Sequence, residues 1–496
     1  MQLDLLTATA TDLQRLLEAG KTTSVELVQA YLAQIERHEP ELHAFISVAP
    51  RHLLLAAAAD RDAERRQGRP RGPLHGIPVV LKDSFMTAPE LGMGTTAGAW
   101  ALVGARARAN SAVAQRLLDG GMIILGKTNL TEFAGMKTTN TTPGWSAVGG
   151  QTVSPYVGPI ADGETLLGHT NPGGSSTGSA VAVAAGFSPL ALGTETIGSI
   201  VTPATRASLY ALKPTVGVQD TRGLYTLTDF FDSPGPMAKC AEDILVLTEI
   251  LLGREFSRGG LGTWDGLSIG FLDPNVWRMA EAMCRQHPGT AEQMRSEYDE
   301  IVLKLKTLQV AVKYPISLAD VAELTVDGEQ AIMPVAFWEF KNGCIPRFLS
   351  AFKECPVRTL DDIVRFNEVN SDKCLPPPHT AQDDLIKALN NTDDASHITK
   401  LKNGLRAVGR RILDQAFDSQ GLNIIVGPGD SSLCIHAAAA GYPIATAPLG
   451  QLHYNGRPFG LCMVAKENNE ELLLRFMAAY ESSLGLRRPV PKLRGD

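Results

Sequence analysis

The sequence predicts an α/β fold: a large mixed central sheet covered by helices on both sides, with a mostly helical lobe at about 275–420 inserted before the C-terminal core return. Three observations predict it. Between about 76 and 250, short apolar runs alternate with helical stretches, the pattern of strands joined by crossover helices. From about 275 to 420, charge and helical periodicity dominate. The apolar run Ile424-Ile425-Val426 then returns as a strand. Because the ends of the α/β pattern flank the lobe, one discontinuous core over 1–496 is expected, although length alone would suggest about three domains.

The elements follow in order. Thr23-Ser24-Val25-Glu26 forms a capping box ahead of Leu27, Tyr31 and Ile35, which are apolar at helical spacing. This amphipathic helix is expected on the outside of the body. A second helix spans about 52–66, before the loop Gly68 to Pro73. Pro78-Val79-Val80-Leu81 and Met122-Ile123-Ile124-Leu125 read as buried strands, and Val113, Leu117 and Leu118 between them share a helical face. Val181 to Ala185 is helical without a polar face, hence fully buried, and Leu190-Ala191-Leu192 is a short central strand. The lobe carries Leu303, Leu305 and Leu308, then Phe337, Phe340, Phe348 and Phe352, with a loop at Pro376-Pro377-Pro378. Glu471-Leu472-Leu473-Leu474 opens a closing helix, and no internal repeat is found.

Composition narrows the function classes. At 44% hydrophobic, 20% charged and a net charge of −7, the chain reads as a globular protein without the basic footprint of a nucleic-acid binder. Its one dense basic cluster, Arg61, Arg65, Arg66, Arg69 and Arg71, is interleaved with Asp60, Asp62 and Glu64, as in a solvated helix face. Seven cysteines without a C-x-x-C pair suit free thiols in a reducing compartment. The N-terminal stretch from Met1 to Leu5 lacks a secretory pattern. The longest apolar candidate, Ala180 to Leu192, is broken by Gly186 and Pro189, too short for a membrane span. A soluble cytoplasmic protein is expected.

The chemistry concentrates in two glycine-punctuated serine loops, Gly173-Gly174-Ser175-Ser176-Thr177-Gly178-Ser179 and Gly193-Thr194-Glu195-Thr196-Ile197-Gly198-Ser199. Glycines permit the close backbone approach that a catalytic loop needs, and serine becomes a nucleophile when a base lies within reach. Ser199 is the candidate nucleophile, since the preceding loop can converge backbone N–H groups on one point. Lys82, ending a buried strand, is the candidate base. To serve it must be neutral, so burial and the lack of a close carboxylate must lower its pKa from about 10.4. Asp83 is adjacent, but strand alternation sends it to the opposite side. Ser175 is a plausible relay. Taken singly, each motif reads as a structural loop or a snorkelling lysine; the joint pattern is what points to a site.

At these residues the chain resembles the amidase signature family. His75-Gly76-Ile77-Pro78-Val79-Val80-Leu81-Lys82-Asp83 is similar to its lysine strand and Gly126-Lys127-Thr128-Asn129-Leu130-Thr131-Glu132-Phe133 to its next landmark. Pro172 to Gly178 and Leu192 to Ile200 match the two serine loops, their serines 24 residues apart. Leu212-Lys213-Pro214-Thr215-Val216-Gly217, Asp232-Ser233-Pro234-Gly235-Pro236-Met237, Gly441-Tyr442-Pro443-Ile444 and Gly456-Arg457-Pro458-Phe459-Gly460-Leu461 match later core segments. The resemblance implies one amidase-type domain hydrolysing small-molecule amides or esters, without metal or other cofactor. It implies Ser199 as nucleophile, Ser175 as bridging serine, Lys82 as base, and the backbone of Thr196, Ile197 and Gly198 as the oxyanion hole. Ala134 and Gly174 would contact substrate, and the Gly174–Ser175 peptide would be cis. No nucleic-acid or membrane partner is expected, and a homodimer is left open. Two positions depart from the family pattern: Ile197, where glycine is usual, and Val201, where a basic residue is. Tyr156 to His169 lengthens the approach to the first serine loop.

Rival readings make different demands. Gly174-Ser175-Ser176-Thr177-Gly178 satisfies G-x-S-x-G, which would need a preceding strand and partners such as Asp430 and His436. His38-Glu39-Pro40-Glu41-Leu42-His43 superficially resembles a zinc motif, but Pro40 should interrupt its helix. Gly173 to Ser179 lacks the lysine of a phosphate-binding loop. A scaffold that retains the fold, an amidotransferase-like subunit that delivers an amine to a partner, and an enzyme that hands its acyl group to an amine rather than to water, remain open.

Overall fold

The computed structural model describes residues 3–484 and 488–493, so Met1 and Gln2 of the N-terminal stretch lie outside the described residues. Eleven strands form the main sheet. In chain order they are β1 (Phe45–Val48), β2 (Pro78–Lys82), β3 (Ile123–Thr128), β4 (Leu190–Glu195), β5 (Tyr210–Lys213), β6 (Ser233–Ala238), β7 (Ser268–Leu272), β8 (Ala311–Ile316), β9 (Ile424–Pro428), β10 (Ile444–Gln451) and β11 (Pro458–Val464). Across the sheet they run β1-β3-β2-β4-β6-β5-β10-β11-β9-β7-β8. The sheet is mixed. β3, β2 and β4 are parallel, as are β9, β7 and β8, while the strands between these two blocks pair antiparallel. Every residue of β2, β3, β4, β5 and β6 is buried, so both faces of this half are covered by other layers.

Each early helix forms where its local chemistry asks for it. Thr23 caps the helix Ser24–Leu42 through a reciprocal bond with Glu26, and Leu27, Tyr31 and Ile35 are buried. Pro40 does not interrupt this helix, contrary to the sequence expectation; it sits in the last turn, where the N–H it lacks costs one bond before the chain leaves through His43 at φ 49°. Helices Arg51–Arg66, Ala112–Asp119 and Thr177–Ala184 occupy the expected stretches, the last buried at every position. Among the described residues no helix is long and apolar enough to cross a membrane.

The stretch 275–420 divides in two. Its first part belongs to the main sheet: helix Thr290–Thr307 connects β7 to the parallel strand β8. Leu305 enters the main core, whereas Leu303 and Leu308 are exposed. Helices Ile332–Glu339, Ile345–Ser350, Leu360–Val369 and Asp383–Leu389 instead gather around a separate apolar cluster containing Phe340, Phe348, Phe352, Ile363 and Leu385. That cluster also holds Phe133 and Tyr225, which brings the lobe against the loops that follow β3 and β5. Helix Ala395–Gln420 then leads into β9.

Candidate active site

β2 ends in Lys82, whose side chain is fully buried among the serine loops. Its Nζ donates to Ser175 Oγ at 2.7 Å, Ser176 Oγ at 3.0 Å and the Thr194 carbonyl at 3.1 Å. All three acceptors are neutral oxygens. Burial pushes the Lys82 pKa down to about 7, opposed by the negative charges of Asp232 and Glu195, which stand off without bonding to it. Asp83 faces the other way, as expected, and binds Lys127 Nζ at 3.1 Å and the Thr96 hydroxyl at 2.5 Å.

The first serine loop is built into its surroundings. The Gly174–Ser175 peptide is cis, as the resemblance implied. The Ser175 carbonyl accepts the Thr131 N–H at 3.1 Å, tying this loop to the one after β3. A side chain at Gly174 would stand 2.6 Å from Thr131 Oγ1, so glycine is required there by close approach. Ser176 Oγ donates to the Thr194 carbonyl at 3.0 Å and accepts the Thr194 N–H at 3.2 Å, fastening the loop to the end of β4.

The second loop is held from several sides. Ser176 N–H donates to the Ser199 carbonyl at 3.0 Å, so the two serine loops are joined backbone to backbone, and Ser199 keeps 8% exposure. The Glu195 carboxylate accepts Ile200 N–H at 2.7 Å and Val201 N–H at 2.9 Å, closing the loop from strand end to the start of helix Val201–Arg206. Lys213, at the end of β5, donates to the Thr196 carbonyl at 3.0 Å. Asp232 bonds the Thr196 hydroxyl and accepts Leu227 N–H at 2.7 Å. Gly198 adopts φ 76°, the left-handed region that favours glycine. These contacts hold the backbone of Thr196, Ile197 and Gly198 in a fixed curve beside Ser199.

Sequence reasoning named Lys82, Ser175 and Ser199, gave Ser176 a role only in the rival G-x-S-x-G reading, and assigned none to Glu195, Lys213 or Asp232. Lys213 and Asp232 lie within matched segments, which was the available signal; a single glutamate in an apolar strand gave none. Ala134 sits in the tight turn Glu132–Gly135 at φ 55°, half-buried against the lobe's apolar cluster. Ile197 is half-buried beside the cluster containing Phe230, Phe231, Leu324 and Val335. Val201 is buried with Leu433, Ile425 and Ala437, surroundings in which a basic side chain would need a partner.

The rival sites do not assemble. No strand runs directly into Ser176, the serine of the G-x-S-x-G pattern, Asp430 is bound by Arg206 and Arg457, and the His436 Nε2 is 2.9 Å from the Ala319 carbonyl. His43 ends its helix in the left-handed conformation, away from the helical register of His38.

The chain is similar to several known proteins. The model of the family described as Amidase matches residues 26–259. A putative amidase of Schizosaccharomyces pombe is 29% identical over 96% of this chain and 85% of its own length. The crystal structure of a peptide amidase from Stenotrophomonas maltophilia is 32% identical, with a TM-score of 0.83 over 98% of this chain and 99% of that one. A glutamyl-tRNA(Gln) amidotransferase subunit of Chloroflexus aurantiacus is 40% identical, over 50% of this chain and 47% of its own.

Proposed function

The chain belongs to the amidase family and is an amidase, and from that premise we propose that it cleaves carboxamides through an acyl-enzyme on Ser199, with Ser175 as proton relay and Lys82 as base. The observation that carries this reading is the company Lys82 keeps: a buried amine 2.7 Å from a serine hydroxyl, bonded only to neutral oxygens. An amine so placed releases its proton near neutral pH and can accept another.

Neutral Lys82 takes the Ser175 proton while Ser175 takes that of Ser199. Ser199 Oγ then attacks the amide carbon. The oxygen that becomes negative is received by the backbone N–H groups of Thr196, Ile197 and Gly198, each such donor typically contributing about 2.7–4 kcal/mol. The proton returns through Ser175 to the leaving nitrogen as the C–N bond breaks. Water cleaves the ester by the reverse relay and releases the acid. Ala134 and Gly174 border the substrate, and Ile197 narrows the pocket with an apolar side chain.

The substrate in this reading is a small-molecule amide or ester, handled without metal, nucleic acid or membrane partner, and the free thiols of all seven cysteines support a cytoplasmic setting. A serine-directed fluorophosphonate followed by mass spectrometry tests it. The adduct is expected on Ser199 in the wild type and absent from Lys82→Ala; an adduct on Ser176 overturns the assignment. A second reading, in which an amine rather than water resolves the acyl-enzyme, draws on the 40% identity to the amidotransferase chain over half of this one. Turnover with added hydroxylamine separates the two. Hydroxamate displacing nearly all free acid favours aminolysis, and acid as the main product favours hydrolysis.

A further inference from the structure

Beneath the loop 160–172, two enclosed arginines share one carboxylate. Arg206 is 1% exposed and reaches Asp430 through Nε and Nη2, both at 3.2 Å, while Arg457, also 1% exposed, reaches it through Nη1 at 2.6 Å. Arg206 spends its other donors on the carbonyls of Leu167, Gly168 and Asn171. Arg457 donates its Nη2 to His169 Nδ1 at 3.0 Å, which leaves the proton of a neutral imidazole on Nε2. Burial, with both arginines nearby, lowers His169 to about 4, so it adds no negative charge and little positive charge at neutral pH. The Cys284 thiol beside Arg206 is kept protonated by burial. Arg457 Nε and His169 Nε2 are both buried without a hydrogen-bond partner; the Gln286 side chain near His169 is held by the Cys284 carbonyl at 3.2 Å and the Thr290 hydroxyl at 3.2 Å.

Arg457, Asp430, His169 and Cys284 border a narrow cavity of about 40 Å³, with Arg206 behind Asp430. Arg278 and Arg295 join its lining, and Asp430 is the one acidic residue among the described residues that line it. Glu164 on the overlying loop is taken up by the Thr170 N–H and hydroxyl at 2.9 and 2.7 Å. The opposite wall is apolar: Met279, Met294, Leu449 and Phe459. None of the lining residues belongs to the Lys82 cluster. Arg278 and Arg295 are exposed at the rim, so the buried excess is Arg206 and Arg457 against Asp430, and with spare N–H donors it is costly unless an anion completes it. The apolar wall, and the carboxylate already present, favour a singly charged anion with a hydrocarbon body over phosphate.

We propose that this cavity is a binding site for a short-chain carboxylate, its charged end against Arg457 and its apolar body along Met279, Met294, Leu449 and Phe459. The site stands apart from the proposed catalytic relay, so its test does not depend on turnover. Calorimetric titration of the full chain with butyrate is expected to show one saturable site, with no binding of butyramide at the same concentrations. Arg457→Gln should weaken butyrate about ten-fold or more, because a charged hydrogen bond is lost. Ala291→Phe, which fills the cavity from the helix Thr290–Thr307 and leaves every charge in place, should weaken it comparably and serves if the arginine variant does not fold. Ser199→Ala should bind butyrate unchanged. Equal affinity of wild type and Ala291→Phe, loss of binding in Ser199→Ala, or saturable binding of inorganic phosphate without butyrate each overturns the proposal.

Discussion

Lys82 and Lys127 stand on neighbouring parallel strands, both fully buried, and their surroundings differ in one respect. Leu81 is the register partner of Lys127, so alternation along β2 sends Lys82 to the opposite face of the sheet. Lys127 meets the carboxylate of Asp83 at 3.1 Å and the Thr95 hydroxyl at 2.8 Å. Lys82 meets two serine hydroxyls and a carbonyl. A carboxylate at contact distance favours the ammonium form, whereas neutral oxygens leave desolvation to favour the amine. Burial lowers the pKa of both lysines, but at Lys127 the Asp83 carboxylate in contact opposes it, and at Lys82 only carboxylates that stand off do.

The largest expected effects break this pair apart. Lys82→Ala should lower kcat/KM by about 10³-fold or more, the range for a lost general base, while circular dichroism remains native. Lys127→Ala should instead strip Asp83 of its counter-charge and destabilise the protein by about 3–5 kcal/mol, seen in denaturant titration. If Lys127→Ala abolished turnover at full stability, the two roles would have to be exchanged.

pH sharpens the contrast. With Lys82 near 7, kcat/KM should rise with pH through about 7 and then level off. The sign for stability is also fixed. Because Lys82 is depressed in the folded state, the unfolded chain binds its proton more tightly, so this residue opposes folding most below about pH 7, and its cost fades as pH climbs toward about 10.4. Lys82→Met should accordingly raise Tm at pH 7 by about a few degrees while remaining inactive, as differential scanning calorimetry would show.

Smaller effects concern the residues that hold the second loop. Glu195→Gln keeps an acceptor for Ile200 and Val201 but removes a negative charge that supports the Lys82 ammonium. The acid limb of the pH profile should move to lower pH, with kcat reduced about ten-fold and KM little changed; an unmoved limb would remove Glu195 from the electrostatics of Lys82. Lys213→Met, which gives up one bond to the Thr196 carbonyl, should cost about a few-fold in kcat, measurable in steady-state kinetics.

Much of this was legible in the sequence, for identifiable reasons. Lys82 closes an apolar run, and the serines lie in glycine loops whose spacing is itself a pattern. Glu195 was hidden because a strand residue reveals nothing of a bond it makes five residues ahead. Strand β8 was hidden because an exposed sheet edge reads as polar. Its sequence Ala311-Val312-Lys313-Tyr314-Pro315-Ile316 carries a lysine and a proline, and only Ile316 is buried. With β8 unread, the charged helix before it fell into the helical lobe. Pro40 misled in the opposite direction, since a proline in a last turn breaks little.

The seam between β5 and β10 has a consequence of its own. These strands come from different halves of the chain and meet near the middle of the sheet, at Ala211–Lys213 and Ile444–Thr446. A cut in the largely exposed connection 253–266 would leave each fragment with a raw sticky border that the other normally covers. Neither piece should be soluble by itself, and co-expression of the two should restore a working particle by complementation.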